Sequence, residues 1–309
     1  MFSKSRLFTL TLIAALPACA QTPLVRTPTA PPAAPTSTST GEHLGNAQTA
    51  APVQIGTLPR TKAPAVAAPR AIVIDYASGR VLHQKNADER CAVASTQKLL
   101  TALCVLDTGN INKKFTITKS DTWVVPTKIG IAPGEVYTRR KLVGALLVRS
   151  GNDVARALAR SVAGSEASFS TVMNRKARSL GMKNSHFLNP HGLTAKGQYS
   201  TARDMATCAR AVFRSPTLRG IMSTRAYTFH FSNGRKKLLE NTNKVMKRVP
   251  HCNGMKTGTT RASGRCLVCS GTHNGRTAIV VVLGATSKTI WNDSEKLLRW
   301  ALERPAPSR

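Results

Sequence analysis

Strand-forming runs stand at both ends of the foldable part of this chain, with amphipathic helical stripes between them. Ala71-Ile72-Val73-Ile74-Asp75 reads as a buried strand, Ala77-Ser78-Gly79 as its turn and Val81-Leu82-His83 as a return strand. Strand patterns come back at Tyr227–Phe231, Met255–Thr260, Cys266–Ser270 and Thr277–Leu283. In between, apolar residues recur at helical spacing: Leu99, Leu100, Leu103 and Leu106, then Leu142, Val143, Leu146 and Leu147, then Val154, Leu158 and Val162. Phe169, Val172, Met173 and Leu180 form a fourth stripe, with Gly181 as its C-terminal stop. Thr201-Ala202-Arg203-Asp204 resembles a capping box opening a helix through Phe213. Ile290, Leu297, Leu298 and Trp300 mark a last helix. Strands at both ends around a helical middle predict an α+β fold, with one sheet assembled from both termini.

The pattern begins near Arg70. Before it, Lys4 and Arg6 precede a short apolar run, Leu7 to Leu16, shorter than the roughly 20 residues of a membrane-spanning helix. Residues 1–20 therefore read as an export signal. Ala18-Cys19-Ala20 followed by Gln21 fits small-x-small cleavage, while Leu16-Pro17-Ala18-Cys19 resembles a bacterial lipoprotein box that would attach a lipid to Cys19. Residues 21–69, rich in Pro, Thr and Ala, read as a disordered tether, and 70–309 as the folded domain. The 309 residues carry a formal net charge of +31. The first 69 contain Lys4, Arg6, Arg26, Arg60 and Lys62 against Glu42, a net +4, so +27 remains on the rest. Such a domain is drawn to polyanions, and an anionic cell-envelope surface suits an exported protein; a basic but merely solvated surface is the plainer alternative. No nucleic-acid-binding pattern is visible, so nucleic acid is not expected as a partner. Export allows disulfides among the six cysteines after Cys19, with pairing left open. Cys266 and Cys269 form a CxxC, but an offset of three on a strand points them to opposite faces, and no further Cys or His pair completes a metal set. They read as core thiols.

Three short patterns carry potential chemistry. In Ser95-Thr96-Gln97-Lys98, residues i and i+3 share a helix face, so the Lys98 amine can reach the Ser95 hydroxyl and act as its base. Read singly, this is also an ordinary helix start with Ser95 as cap. Ser150-Gly151-Asn152 falls at a break between two helical stripes; Ser150 can relay protons and Asn152 can bind a peptide group, although an N-cap has the same composition. Lys256-Thr257-Gly258 lies on a strand. There Lys256 and Thr257 would attract a carboxylate, Lys256 would help keep Lys98 neutral, and Gly258 would let a substrate backbone come close. The plainer reading is an edge strand with a solvated lysine.

In this order and these settings, the three patterns resemble those of penicillin-binding proteins and serine β-lactamases. The chain resembles the D-alanyl-D-alanine carboxypeptidase family in particular. Ala94-Ser95-Thr96-Gln97-Lys98-Leu99-Leu100-Thr101-Ala102, Gly130-Ile131-Ala132-Pro133-Gly134-Glu135, Leu180-Gly181-Met182-Lys183-Asn184 and Asn189-Pro190-His191-Gly192-Leu193 are family-like. So are Tyr199-Ser200-Thr201-Ala202-Arg203-Asp204-Met205 and Gly264-Arg265-Cys266-Leu267-Val268. Ser263 stands where the family usually has Ala, and Thr194 where it often has Asp. The resemblance implies a DD-peptidase/serine β-lactamase-like fold, an antiparallel sheet flanked by helices beside an all-helical region. It implies acyl transfer with Ser95 as nucleophile, Lys98 as base and Ser150 passing the proton to the leaving amine. Asn152 would orient the peptide, Lys256 and Thr257 would hold the terminal carboxylate, and the backbone N–H groups of Ser95 and Thr259 would form the oxyanion hole. His191 is given a structural role. No metal or cofactor is implied. The expected partners are peptidoglycan stem peptides and β-lactams, met in the periplasm or cell envelope.

Removal of a terminal D-alanine is the reaction expected first, with cleavage of cross-links by an endopeptidase as the alternative, since the chain ends at Arg309 without the β-rich domain and membrane helix of many family members. A class A β-lactamase would need a glutamate in an E-x-x-L-N loop; Glu166 is followed by Ala167-Ser168-Phe169-Ser170 and does not fit. A non-catalytic wall-binding module is the remaining alternative, and the intact set of three motifs argues against it.

Overall fold

The computed structural model describes residues 62–303. The expected signal, Cys19 and most of the tether lie outside the described residues. In chain order the elements are β1 (Arg70–Asp75), β2 (Val81–Lys85), a 3₁₀ turn (Ala94–Gln97), α1 (Lys98–Leu106), β3 (Lys114–Thr116), β4 (Val136–Thr138), α2 (Arg139–Arg149), α3 (Asn152–Ala163) and α4 (Glu166–Ser179). There follow α5 (Ala202–Arg214), α6 (Pro216–Ser223), β5 (Ala226–His230), β6 (Lys236–Glu240), α7 (Val245–Arg248), β7 (Cys252–Thr260), β8 (Gly264–His273), β9 (Arg276–Ala285) and α8 (Ile290–Glu303). The short strands β3, β4 and β6 and the helices α6 and α7 have too little periodicity to be read from sequence.

One five-stranded antiparallel sheet runs β2-β1-β9-β8-β7. Strands from early and late in the described residues meet in it as expected, for β1 pairs with β9 from Arg70↔Leu283 to Asp75↔Ala278. The β8–β9 hairpin turns on Asn274-Gly275, both at positive φ, the backbone a two-residue hairpin requires. Strand alternation then sends side chains to two cores. From β9, Ile279, Val281 and Leu283 face the larger core with α1–α6, while Ala278, Val280 and Val282 face a smaller one with α7 and α8. Covering both faces explains why β9 reads as an unbroken apolar run. Each such Val, Ile or Leu contributes roughly 1.5–3 kcal/mol on burial.

Cys266 and Cys269 fall in the two different cores, as their spacing requires. All six described cysteines are free thiols, and burial pushes Cys266 up to about 11 and Cys269 well above the ordinary thiol range. Ala68, placed by the sequence in the tether, is buried against the smaller core, and its N–H donates to Asp293 Oδ2 at 2.8 Å. Thr201 caps α5 by accepting from Asp204 N at 3.0 Å, but the Asp204 carboxylate does not complete a box. It accepts instead from Asn184 N and Ser185 Oγ, both at 2.7 Å, tying the segment after Gly181 to the helix. Among the described residues, no helix is long and apolar enough to cross a membrane.

Candidate active site

Ser95 and Lys98 sit on and just after the 3₁₀ turn that feeds α1. With three residues per turn, i and i+3 eclipse more closely than in an α-helix. Lys98 Nζ stands 2.7 Å from Ser95 Oγ, 2.7 Å from Asn152 Oδ1 and 2.5 Å from the His191 carbonyl oxygen. Lys98 is wholly buried and, among the described residues, makes no ion pair with a carboxylate. Burial, reinforced by the neighbouring Lys256 charge and opposed by Asp153, holds its ammonium well below the ordinary lysine range. The partners match that protonation state. A neutral amine has two N–H groups and one lone pair. Asn152 Oδ1 and the His191 carbonyl are acceptors only; the Ser95 hydroxyl, which also lies 3.2 Å from the His191 carbonyl oxygen, is the one partner that a neutral Lys98 could turn its lone pair to.

The second motif lies at the α2–α3 junction. Ser150 ends α2 in the left-handed region at φ 72°, which breaks the helix and presents its side chain to the cleft. Asn152 opens α3 with both ends of its amide committed: Oδ1 to Lys98 and Nδ2 to the Val125 carbonyl at 3.1 Å. These contacts hold Asn152 beside the Ser95–Lys98 pair. The neighbouring Asp153 carboxylate accepts from Ile129 N at 3.0 Å and Gly130 N at 2.8 Å, fixing the loop opposite.

The third motif runs along β7, the edge strand of the sheet. Lys256 is fully buried, and its Nζ donates to the Thr257 carbonyl at 2.9 Å. Burial lowers its amine to about 7. Gly258 has a close neighbour that local sequence does not reveal. A Cβ there would stand 2.9 Å from Ser95 N and 3.0 Å from Thr96 N, so the close approach is to the chain's own nucleophile turn. Thr257 Oγ1 lies 2.6 Å from Thr242 Oγ1, and Arg265 donates to Thr259 Oγ1 at 3.1 Å. Among the described residues, three of the five non-glycine positions at positive φ belong to this site or precede it: Ala94, Ser150 and Met255. Each such residue costs roughly 1–3 kcal/mol and persists where surrounding contacts enforce it.

Ser95, Ser150, Thr257, Gly258 and Thr259 line one cleft of about 580 Å³, with Lys98, Asn152 and Lys256 buried behind its wall. Arg149, Lys244, Lys247 and Arg265 also line it, against one acid, Glu240. Sequence reasoning missed Thr242, Arg149 and the carbonyl of His191. A carbonyl has no residue signature; the nearest signal was the Asn-Pro-His-Gly-Leu segment, where Gly192 adopts φ +85° with no room for a Cβ beside Ala94 O. Among the described residues, no group of three or more His, Cys, Asp or Glu is placed to hold a metal ion.

The family model described as D-alanyl-D-alanine carboxypeptidase matches residues 58–287. The chain belongs to the D-alanyl-D-alanine carboxypeptidase family. Within this peptidase family it is 38% identical over 266 residues to D-alanyl-D-alanine carboxypeptidase DacC of Escherichia coli, covering 81% of this chain and 65% of that relative. It is 36% identical over 233 residues to DacF of Bacillus subtilis, covering 74% of this chain and 60% of that one. The chain thus spans less than two thirds of the length of these curated relatives. The crystal structure of a D-alanyl-D-alanine carboxypeptidase from Mycobacterium tuberculosis matches with a TM-score of 0.74 at 31% identity, over 82% of this chain and 96% of that one. The Streptomyces K15 DD-transpeptidase matches with a TM-score of 0.74 at 30% identity, over 78% and 99%. The fold is that of the DD-peptidases, serine β-lactamase-like, with mixed helices and antiparallel sheet.

Proposed function

We propose that this protein is a serine DD-carboxypeptidase that removes the terminal D-alanine from peptidoglycan stem peptides. The observation that carries the reading is the wholly buried Lys98 amine standing 2.7 Å from Ser95 Oγ. Lys98 takes the proton as Ser95 Oγ attacks the D-alanyl carbonyl. Alternate amides of the edge strand β7 point away from β8, and the N–H of Thr259 with that of Ser95 receives the developing oxyanion. Ser150, at the cleft wall, hands the proton to the departing amine. Water then hydrolyses the acyl-enzyme and frees Ser95. The terminal carboxylate rests on Thr257 and its partner Thr242, with Arg265 beside them and the Lys256 charge acting through the strand. Asn152 keeps Lys98 in place. No step calls on a metal or cofactor.

A β-lactam presents the same carboxylate and carbonyl, and its opened ring leaves the departing nitrogen tethered in the cleft. Glu166 pairs with Arg156 at 3.3 Å and lies 3.4 Å from His191 Nε2, and its Glu-Ala-Ser-Phe-Ser setting is not the E-x-x-L-N loop of a class A β-lactamase. The enzyme acts in the periplasm or cell envelope, held by the tether and, in one form of processing, by a lipid on Cys19. Its +27 domain favours anionic envelope polymers over nucleic acid. The test is fluorescent penicillin labelling with peptide mapping, alongside D-alanine release from pentapeptide muropeptides. Both are lost in Ser95→Ala and fall about 10²–10⁴-fold in Lys98→Ala. Label on any residue other than Ser95, or Lys98→Ala reacting at wild-type speed, refutes the mechanism.

A further inference from the structure

A second cavity lies at the far edge of the sheet from β7, between α5 and the β1–β2 hairpin. It holds about 300 Å³ and shares no lining residue with the catalytic cleft. Sites for small ligands begin at about this size. We infer that this cavity binds a phosphate monoester with a small polyol body, through Arg210 and Arg214.

Three observations carry this. The first is the pattern of α5. Arg203, Arg210 and Arg214 stand seven and four residues apart, so they share one face of the helix. Between them that face carries Ala206, Thr207 and Ala211, whose short side chains leave the hollow that the guanidinium groups rim. On the other side of the helix, Met205, Cys208, Ala209 and Val212 are sunk in the larger core.

The second is charge. Arg203 is answered by Asp88, whose Oδ1 accepts from its Nε at 2.7 Å. The other two are not. Arg210 donates through Nε to the Tyr76 carbonyl at 2.8 Å and through Nη2 to the Ala77 carbonyl at 2.7 Å, and neither acceptor carries a charge. These bonds fix the guanidinium plane against the hairpin turn and leave Nη1 with both its protons to offer. The turn is shaped around it, for a Cβ on Gly79 would stand 2.7 Å from Nη1. Arg214 is exposed, and among the described residues its guanidinium has no hydrogen bond or ion pair. Among the described residues, no Asp or Glu lines the cavity. Two guanidinium charges thus face one hollow without an anion, and planar forks of this kind hold phosphate oxygens in pairs. A phosphate monoester carries about 1.5–2 negative charges at pH 7, which answers both, whereas a carboxylate answers one.

The third is the wall. Ile74, Val81 and Leu180 give the hollow an apolar side. Thr207 Oγ1 donates to the Arg203 carbonyl at 3.1 Å, which leaves its lone pairs to accept from a hydroxyl. A body of a few carbons bearing hydroxyls, such as glycerol, meets both. That chemistry has two sources: a soluble glycerol or sugar phosphate, and the head group of a phosphatidic acid at a membrane surface.

The purified protein is titrated calorimetrically with glycerol 3-phosphate, inorganic phosphate, glycerol and lactate. Glycerol 3-phosphate binds, inorganic phosphate binds more weakly, and glycerol and lactate do not bind. Arg210→Gln and Arg214→Gln each weaken the ester about tenfold or more, the scale of a lost charged hydrogen bond. Ala211→Leu, which fills the hollow, weakens it by a similar factor, and a cooperative melt shows that each variant is folded. Lys113→Gln with Lys114→Gln removes as much charge as the two arginine changes together, from exposed positions at β3, and leaves ester binding unchanged. Phosphatidylcholine vesicles carrying phosphatidic acid separate the sources. Vesicles that retain the wild type and the paired lysine variant but release the paired arginine variant assign a lipid-borne ester. Equal retention of the two paired variants, with glycerol 3-phosphate bound in solution, assigns a soluble one. Binding that does not depend on the arginines in either assay overturns the inference, as does lactate binding as tightly as the ester. Acylation of Ser95 proceeds at the wild-type rate in all these variants, because cavity and cleft are separate.

Discussion

Gly258→Ala tests the packing that builds the nucleophile. The added methyl would lie 2.9 Å from Ser95 N, 3.0 Å from Ala94 Cβ and 3.0 Å from Thr96 N. Two of these are backbone atoms, so no side-chain rotation relieves the contact, and either β7 or the 3₁₀ turn must retreat. Overpacking of this kind costs about 1–3 kcal/mol. In a domain of this size, 1 kcal/mol moves the melting temperature by about 2–4 °C. The effect on chemistry is larger than that on stability, because the retreat displaces Ser95 Oγ from Lys98 and Ser95 N from Thr259 together. A misplacement near 1 Å costs about 10²-fold. The assay is the second-order rate of Ser95 acylation by a fluorescent penicillin, followed with a thermal melt of the same sample. Acylation is expected to drop about 10–100-fold while the melt falls only several degrees. Acylation within twofold of wild type, at an unchanged melting temperature, would refute the argument that this glycine exists to admit the nucleophile turn.

Asn152→Asp places a carboxylate on Lys98 Nζ, which favours the charged amine; the pH at which acylation reaches half its maximum should move upward, read from a rate profile, and an unmoved midpoint would show that Asn152 does not contact the base. Lys256, lowered to about 7, carries its charge below that pH and loses it above. KM for a substrate with a free terminal carboxylate is therefore expected to rise as pH passes about 7, and to stay flat in Lys256→Ala. Binding of the domain to sacculi or anionic vesicles should fall steeply with salt, because screening shortens the reach of exposed charge to about 8 Å at physiological ionic strength; salt-independent cosedimentation would mean that the +27 is not the cause.

The sequence by itself determined the α+β architecture, because strand alternation and helical stripes are local and each occupies its own stretch of chain. It also brought out Ser95, Lys98, Ser150 and Thr257, since nucleophile, base and hydroxyls are residue types with a chemistry of their own, and the order of the motifs pointed to one family. The opposite faces of Cys266 and Cys269 followed from strand period alone. Only the tertiary structure decided what the remaining groups do. Asn152 and Lys256 read as substrate contacts; the structure adds that Asn152 Oδ1 faces Lys98 and that Lys256 is fully buried, because the α2–α3 break and the β7 register turn them inward. Gly258 makes room for Ser95 N from a turn 163 positions earlier in the chain, a neighbour no local pattern reveals. The His191 carbonyl completes the lysine's partners as a backbone atom that every residue type possesses. Arg149, Thr242 and Trp291 come from segments distant in sequence, and they share a cleft only because the sheet closes with β1 against β9 and packs α8 on one of its faces.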